Sequence, residues 1–172
     1  MVLLRGVNVG GHRTFRPTVL ANELKHLDVV NVGAAGTFVI RARVSRATLR
    51  AELGRRLPFE TRVVICEGRE FTRIVAAAPF AREPVGADVV RFVSVLSRSS
   101  LSTPATPTRF PPRGRWLLRI LAAEGRFVFG VYRRDMKVIG YLGTLDRLFG
   151  VPVTTRNWKT VTAIAAALNG TA

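Results

Sequence analysis

The chain opens with the stretch Leu3-Leu4-Arg5-Gly6-Val7-Asn8-Val9-Gly10-Gly11, which reads as a short apolar strand followed by a loop rich in glycine. Glycine allows a tight turn and lets successive backbone N–H groups point at an anion. A helix is predicted directly after the loop, because Pro17 suits a first helical turn and apolar residues then recur at helical spacing. We therefore predict a strand, loop and helix in this order, with an anion site at the loop. The alternative is a tight turn in which Asn8 satisfies nearby backbone groups.

A second stretch of similar character lies near the other end, at Thr154-Thr155-Arg156-Asn157-Trp158-Lys159-Thr160-Val161. A final helix is predicted over residues 157–168, with Thr154 and Thr155 as N-cap residues. Cations in a first helical turn oppose the helix dipole, at a cost of about 0.3–1 kcal/mol, and a bound anion would reverse that cost. We expect the two stretches to form one site for a small anion or a nucleotide-like ligand. Its predicted residues are Arg5, Gly6, Asn8, Gly10, Gly11, Thr155, Arg156, Asn157 and Thr160.

The composition is that of a folded protein. The chain has 172 residues, of which 48% are hydrophobic, enough for one domain with a sizeable core or for two small domains. No apolar run approaches the roughly 18–20 residues of a membrane helix, and no secretory signal is recognisable at the start. The single cysteine, Cys66, excludes an internal disulfide and a CxxC metal site. We expect a cytoplasmic protein without a membrane partner.

The formal net charge is +16, and it is concentrated in the second half of the chain. Residues 1–90 carry a net charge of +6, whereas residues 91–172 carry +10. The alternative function is therefore nucleic-acid binding through the basic second half, because phosphate neutralisation drives such binding. The expected phosphate contacts are Arg113, Arg115, Arg119, Arg126, Arg133, Arg134 and Lys137. A third interpretation is that both polar stretches are structural and hold no ligand.

No catalytic constellation is recognisable. The two histidines, His12 and His26, have no cysteine or carboxylate at metal-ligand spacing, so we predict no metal site. Asp135 and Asp146 are the acids nearest the polar stretches, and no Ser-His-Asp or paired-carboxylate pattern is present. The sequence therefore predicts neither a reaction nor a cofactor.

The predicted elements alternate between strands and helices, and several strands form hairpins, which favours an α+β fold. In the first half, helices are predicted over 46–56, with Ser45 as N-cap, and over 68–77. In the second half, a strand over 89–96 precedes a segment without structure at 97–115. A hairpin turning at Glu124-Gly125 and a short helix over 143–149 follow. We predict an N-terminal half, 1–83, and a C-terminal half, 84–172, which form either two domains or one continuous domain.

The stretches LLRGVNVGG, VRFVSVL and TTRNWKTVTAI, together with Ala77-Ala78-Pro79-Phe80, resemble the bacterial family catalogued as domain of unknown function 1697. The resemblance extends over essentially the whole chain. It implies a cytoplasmic α+β protein made of two ferredoxin-like α/β-sandwich halves, with mixed or antiparallel sheets and helices packed on one face. It implies no activity. The sequence departs from the family at Gly33–Thr37, which keeps the glycine, Gly36, but lacks the family's aromatic, serine and asparagine, so a ligand would be bound differently here or not at all.

Overall fold

The structure is a computed structural model that describes residues 1–8, 15–83, 86–100 and 104–170. Helices and antiparallel sheets are combined, so the predicted α+β class is confirmed. The chain divides into two compact units. Unit 1 comprises Met1–Ala76 and Thr162–Ala172, and unit 2 comprises Ala77–Val161. Folding of 1–83 and 84–172 as separate halves stays a prediction.

Unit 1 contains a four-stranded sheet in the order β2-β3-β1-β4, in which every neighbouring pair is antiparallel. The first strand of the chain is central, because Leu3 is paired with Thr37 on one side and with Val64 on the other. The strands are β1 (Val2–Leu4), β2 (Val29–Asn31), β3 (Thr37–Ile40) and β4 (Val63–Ile65).

The helices of unit 1 are α1 (Pro17–Glu23), α2 (Arg46–Arg56) and α3 (Gly68–Ala76). The predicted N-cap of α2 is confirmed, since the Ser45 hydroxyl accepts a hydrogen bond from the Thr48 N–H at 3.0 Å. Helices α1 and α2 pack against the sheet through one apolar cluster. Its buried members are Val2, Leu4, Val7, Leu20, Leu24, Phe38, Leu49, Leu53 and Ile65.

The turn between β2 and β3 explains why Gly36 is glycine. Its φ is +65°, a conformation that side chains disfavour. A Cβ atom there would lie 2.7 Å from Val7 Cγ2 and 2.8 Å from Leu4 Cβ, so no other residue fits without displacing the core.

Unit 2 contains a five-stranded antiparallel sheet in the order β6-β7-β8-β5-β9. If the short edge strand β6 is set aside, the order is second, third, first, fourth along the chain, the same as in unit 1. The elements are β5 (Val89–Leu96), β6 (Thr108–Phe110), β7 (Leu118–Glu124), β8 (Phe127–Arg133), α4 (Val138–Phe149) and β9 (Val153–Asn157). The final helix, α5 (Trp158–Leu168), begins in unit 2, and its residues from Thr162 onward belong to unit 1.

Two predictions for unit 2 are corrected by the structure. The segment 97–115, predicted to lack structure, contains β6, which pairs with β7 on one edge only. Edge pairing tolerates the neighbouring prolines because only one side of the strand needs backbone hydrogen bonds. Helix α4 begins at Val138, five residues before the predicted start. Gly140 and Gly143 weaken the helical signal, but packing of Leu145 and Phe149 in the core stabilises the helix.

The predicted hairpin is confirmed, since β7 and β8 are joined by a turn at Gly125. Within the parts of the chain that the structure describes, no helix is long and apolar enough to cross a bilayer.

Candidate functional site

A cleft in unit 1, with a volume of about 530 Å³, contains part of the predicted site. We call it the unit 1 cleft. It is formed where β1 ends and where the chain approaches β4. Its lining residues are Arg5, Gly6, Glu60, Thr61 and Arg62. Two of them, Arg5 and Gly6, belong to the predicted site.

Two arginines stand side by side in this cleft. The antiparallel register pairs Leu4 with Val63, and it continues by one residue, because the Arg5 N–H donates to the Arg62 carbonyl at 3.1 Å. Arg5 and Arg62 are therefore direct cross-strand neighbours. Directly opposed residues place their side chains on the same face, with Cβ atoms about 4.5–5.5 Å apart.

The backbone around this pair is held in place by Thr61. Its hydroxyl donates to the Arg5 carbonyl at 2.7 Å. The side chain of Arg5 is half-buried, whereas Glu60 and Arg62 are exposed. The two guanidinium groups and the single carboxylate give the cleft a formal charge of +1, which favours an anionic ligand.

Asn8, which follows β1, is bonded to two other segments of unit 1. Its side-chain amide donates to the carbonyls of Phe15 and Ala34, at 3.0 and 2.7 Å, and its Oδ1 accepts from the Phe15 N–H at 2.9 Å. These three bonds support the interpretation of Asn8 as a residue that satisfies local backbone groups. Participation of Asn8 in ligand binding stays a prediction. The predicted site residues Gly10 and Gly11, like His12, lie outside the described residues.

The predicted C-terminal site residues lie at the end of β9 and the start of α5. The Thr155 hydroxyl is 2.6 Å from the Ser94 hydroxyl on the neighbouring strand. Asn157 Oδ1 accepts from the Thr160 N–H at 2.8 Å and so acts as the N-cap of α5. The prediction that Thr154 and Thr155 cap this helix is wrong, because β9 extends through both threonines to Asn157.

Arg156 is a buried cation, since only 8% of the residue is exposed. It donates through Nη1 to the Thr155 carbonyl at 2.9 Å. Burial lowers the pKa of its guanidinium to about 10, because desolvation disfavours the charged form. Arg156 therefore remains protonated at neutral pH.

A second cleft, of about 290 Å³, lies in unit 2. We call it the unit 2 cleft. It is located where β5 begins and where β8 and β9 end, so that residues from three strands and from the start of α5 meet there. Its lining residues are Val89, Val90, Arg91, Tyr132, Arg134, Asn157, Trp158 and Lys159.

The structure thus distributes the predicted site residues over the two units. Arg5 and Gly6 line the unit 1 cleft, and Asn157 lines the unit 2 cleft. Formation of one site by the two motifs stays a prediction. Sequence reasoning missed Arg62, which is 57 residues from Arg5 and is brought beside it only by strand pairing.

The arginines proposed for nucleic-acid contacts are partly neutralised within unit 2. Arg115 and Arg133 both pair with Asp88, and Arg119 pairs with Glu83 at 3.5 Å. The hydrogen bond from Arg133 lowers the pKa of the Asp88 carboxyl below its usual value. The guanidinium groups of Arg119 and Arg133 also lie over the ring of Trp116, with centroid distances of 5.5 and 4.3 Å.

Two further reactive side chains lie within the described residues. Cys66 is a buried free thiol. The Nε2 atom of the half-exposed His26 lies 3.5 Å from a carboxylate oxygen of Glu52, whose side chain is largely buried. Among the residues that the structure describes, no cluster of three or more histidine, cysteine, aspartate or glutamate side chains could hold a metal ion.

The chain matches the family described as "Protein of unknown function (DUF1697)" over residues 1–109. The matched residues include all the strands of unit 1 and the unit 1 cleft, whereas the TTRNW stretch lies beyond them. No curated protein and no solved structure matches the chain. Since the match extends over more than half of the sequence, the chain belongs to this family of proteins of unknown function.

Proposed function

We propose that the protein binds a small anion, a molecule carrying a phosphate or carboxylate group, in the unit 1 cleft. The observation that carries this proposal is the cross-strand pair of Arg5 and Arg62 at the cleft wall. Arginine presents a planar fork of N–H donors that matches phosphate and carboxylate oxygens. Two such forks on one face would hold one anion between them.

The energetics support this arrangement. Like charges directly opposed on neighbouring strands destabilise a sheet, by an amount comparable to the roughly 0.2–1 kcal/mol of a favourable pair. A hydrogen bond to a charged group contributes about 1.5–3 kcal/mol, so a bridging anion would more than offset the repulsion between Arg5 and Arg62. Glu60 lowers the positive potential of the cleft and so favours ligands of modest charge over highly charged polymers.

The size of the cleft also favours a small ligand. Its volume of about 530 Å³ lies within the roughly 300–1,000 Å³ of most small-molecule sites. This volume accommodates a phosphate ester, a nucleotide or a dicarboxylate. We propose binding only, since the described residues around Arg5 include no nucleophile activated by a neighbouring base.

We also propose that each unit has the ferredoxin-like arrangement that the family resemblance implies. The strand order of unit 1 and its β-α-β-β-α-β sequence of elements support this assignment. The same order in unit 2 supports a duplication in which β6 and its flanking loops replace the first helix. A cytoplasmic location in a bacterium is proposed on the resemblance alone.

A thermal-shift screen of the intact chain tests the binding proposal. Inorganic phosphate, a nucleoside monophosphate and a dicarboxylate are each added at millimolar concentration. We expect at least one to raise the Tm of the wild type, and the shift to be lost in Arg5→Ala and in Arg62→Ala. Arg43→Ala removes an exposed arginine of unit 1 outside the cleft and should keep the shift. No shift with any of the three anions would contradict the proposal.

Nucleic-acid binding through unit 2 is the second candidate. Exposed Arg113, Arg134 and Lys137 support it, whereas the ion pairs of Arg115, Arg119 and Arg133 weaken it. If three cations contact phosphates, log K should fall with log salt at a slope of about −3. Binding of an oligonucleotide that is insensitive to salt would exclude this candidate.

A further inference from the structure

We propose that the unit 2 cleft binds a small molecule that joins an aromatic ring to a phosphate group. This inference concerns unit 2 alone and does not rest on the function proposed for the unit 1 cleft. Two features of the residues that line the unit 2 cleft support this proposal. Three basic residues and two aromatic residues line a cavity of about 290 Å³, and no acidic residue is among the lining residues of the described chain.

The cations are contributed by separate elements that the fold brings to one end of the sheet. Arg91 lies in β5, Arg134 follows β8, and Lys159 lies in the first turn of α5. At this end the register pairs Val90 with Tyr132, and the backbone N–H of Arg134 donates to the Asp88 carbonyl at 2.8 Å. An anion bound in this cavity would be attracted by all three cations, since charges within a Debye length of about 10 Å are only partly screened.

The position of Arg91 is fixed by its own contacts. Its Nη2 donates to the Glu83 carbonyl, and its guanidinium lies 5.8 Å from the centroid of the Phe80 ring. Its Nε is buried and has no hydrogen-bond partner among the described residues. A carbonyl partner does not neutralise the charge of Arg91, which therefore remains available to attract an anion.

The aromatic residues of the unit 2 cleft would contact the ring of the proposed ligand. Trp158 is held by an edge contact with Phe80, at a centroid distance of 5.0 Å, and Tyr132 packs on Phe92 at 5.9 Å. Both remain half-exposed at the cleft. Rings held in this way stack favourably on the ring of a ligand, whatever the ligand's substituents. The described residues that line the unit 1 cleft include no aromatic side chain, so this preference distinguishes the two clefts.

The volume of the unit 2 cleft favours a small ligand over a polymer. About 290 Å³ is at the lower end of the range for small-molecule sites, which suits one ring and one phosphate. A nucleic-acid strand needs a longer groove that follows several phosphates.

The tryptophan content of the chain provides a direct assay. Trp116 and Trp158 are the only two tryptophans, so Trp158 is the sole indole in the Trp116→Phe variant. We would titrate this variant with phenyl phosphate, inorganic phosphate and benzyl alcohol, and follow Trp158 fluorescence. We expect saturable quenching by phenyl phosphate, with an affinity about tenfold higher than for either of the other compounds, because only phenyl phosphate has both the ring and the anion.

Variants of the cations locate the site. Arg134→Gln and Lys159→Gln, each made in the Trp116→Phe background, should weaken phenyl phosphate binding about tenfold. Arg113→Gln removes an exposed arginine of the same unit outside the cleft and should leave the affinity unchanged. Circular dichroism confirms that each variant is folded before titration.

Three results would overturn the proposal. One is the absence of quenching at up to millimolar phenyl phosphate in the folded Trp116→Phe protein. Another is equal affinity for phenyl phosphate and inorganic phosphate, which would exclude the aromatic contribution. The last is tighter binding of a single-stranded oligonucleotide than of phenyl phosphate, with a steep salt dependence that indicates a polymer site.

Discussion

Replacement of Gly130 by alanine should destabilise the protein strongly. Gly130 lies in β8 between two paired strands, opposite Phe92 on one side and Ile120 on the other. A Cβ atom there would lie 2.5 Å from the Arg119 carbonyl oxygen and 2.6 Å from Phe92 Cε1. A phenyl ring could rotate away, but a backbone oxygen of the neighbouring strand can move only if the sheet moves with it.

The expected size of this effect follows from the rigidity of the site. Overpacking of a core costs about 1–3 kcal/mol, and the backbone clash at Gly130 places this substitution at the upper end, about 3 kcal/mol. For a chain of this length, 1 kcal/mol shifts Tm by about 2–4 °C, so Gly130→Ala should lower Tm by about 6–12 °C. The shift is measured by differential scanning calorimetry or by circular dichroism.

Gly143→Ala is the matched control, because it adds the same methyl group to an exposed helical site. A Cβ atom at Gly143 meets nothing within 4 Å, and the residue lies inside α4. Alanine should therefore stabilise the protein by about 0.5–1 kcal/mol. Opposite signs for the two substitutions are expected. A loss smaller than about 1 kcal/mol for Gly130→Ala would refute the packing described here.

Three further predictions follow from single interactions. Ser45→Ala removes the N-cap of α2 and should cost about 1 kcal/mol, seen as a Tm about 2–4 °C lower. In the folded protein, Arg133 holds the pKa of Asp88 below its usual value of 3.8. The ionised carboxylate therefore stabilises the fold fully at a pH above 3.8, and this stabilisation is lost as the pH falls through the lower pKa of the folded state. Asp88→Asn should therefore be less stable than the wild type at neutral pH and equal to it in strong acid, as measured by urea unfolding across pH. Glu60→Gln removes the only carboxylate among the lining residues of the unit 1 cleft and should tighten phosphate binding about two- to fivefold by calorimetric titration, whereas weaker binding would contradict the assigned charge balance.

Local signals in the sequence predicted most elements of the fold. Ser45 identified the start of α2, and Gly125 identified the hairpin. Each of these residues acts on a few neighbouring backbone groups, so its effect can be read from a short window. The predicted start of α4 is five residues too late, because Gly140 weakens the local helical signal and the helix is stabilised by tertiary packing.

The candidate site could be predicted from the sequence less completely than the fold could. Arg5 and Gly6 were recognised as part of a loop that suits an anion, but Arg62 carries no local signal. Its position beside Arg5 depends on the pairing of β1 with β4, which is a property of the sheet and not of either segment. The end of β9 was also not predictable from a short window of sequence. The strand extends to Asn157, so Asn157 caps α5 instead of Thr154 and Thr155.

A double-mutant cycle on Arg5 and Arg62 tests the central claim most directly. Phosphate binding to the wild type, Arg5→Ala, Arg62→Ala and the double variant is measured by isothermal titration calorimetry at low salt. If both arginines hold one anion, each single variant should lose at least about tenfold in affinity, and the effects should be non-additive by about 0.5–3 kcal/mol. Additive losses, or variants that bind phosphate as tightly as the wild type, would show that these two side chains do not form an anion site.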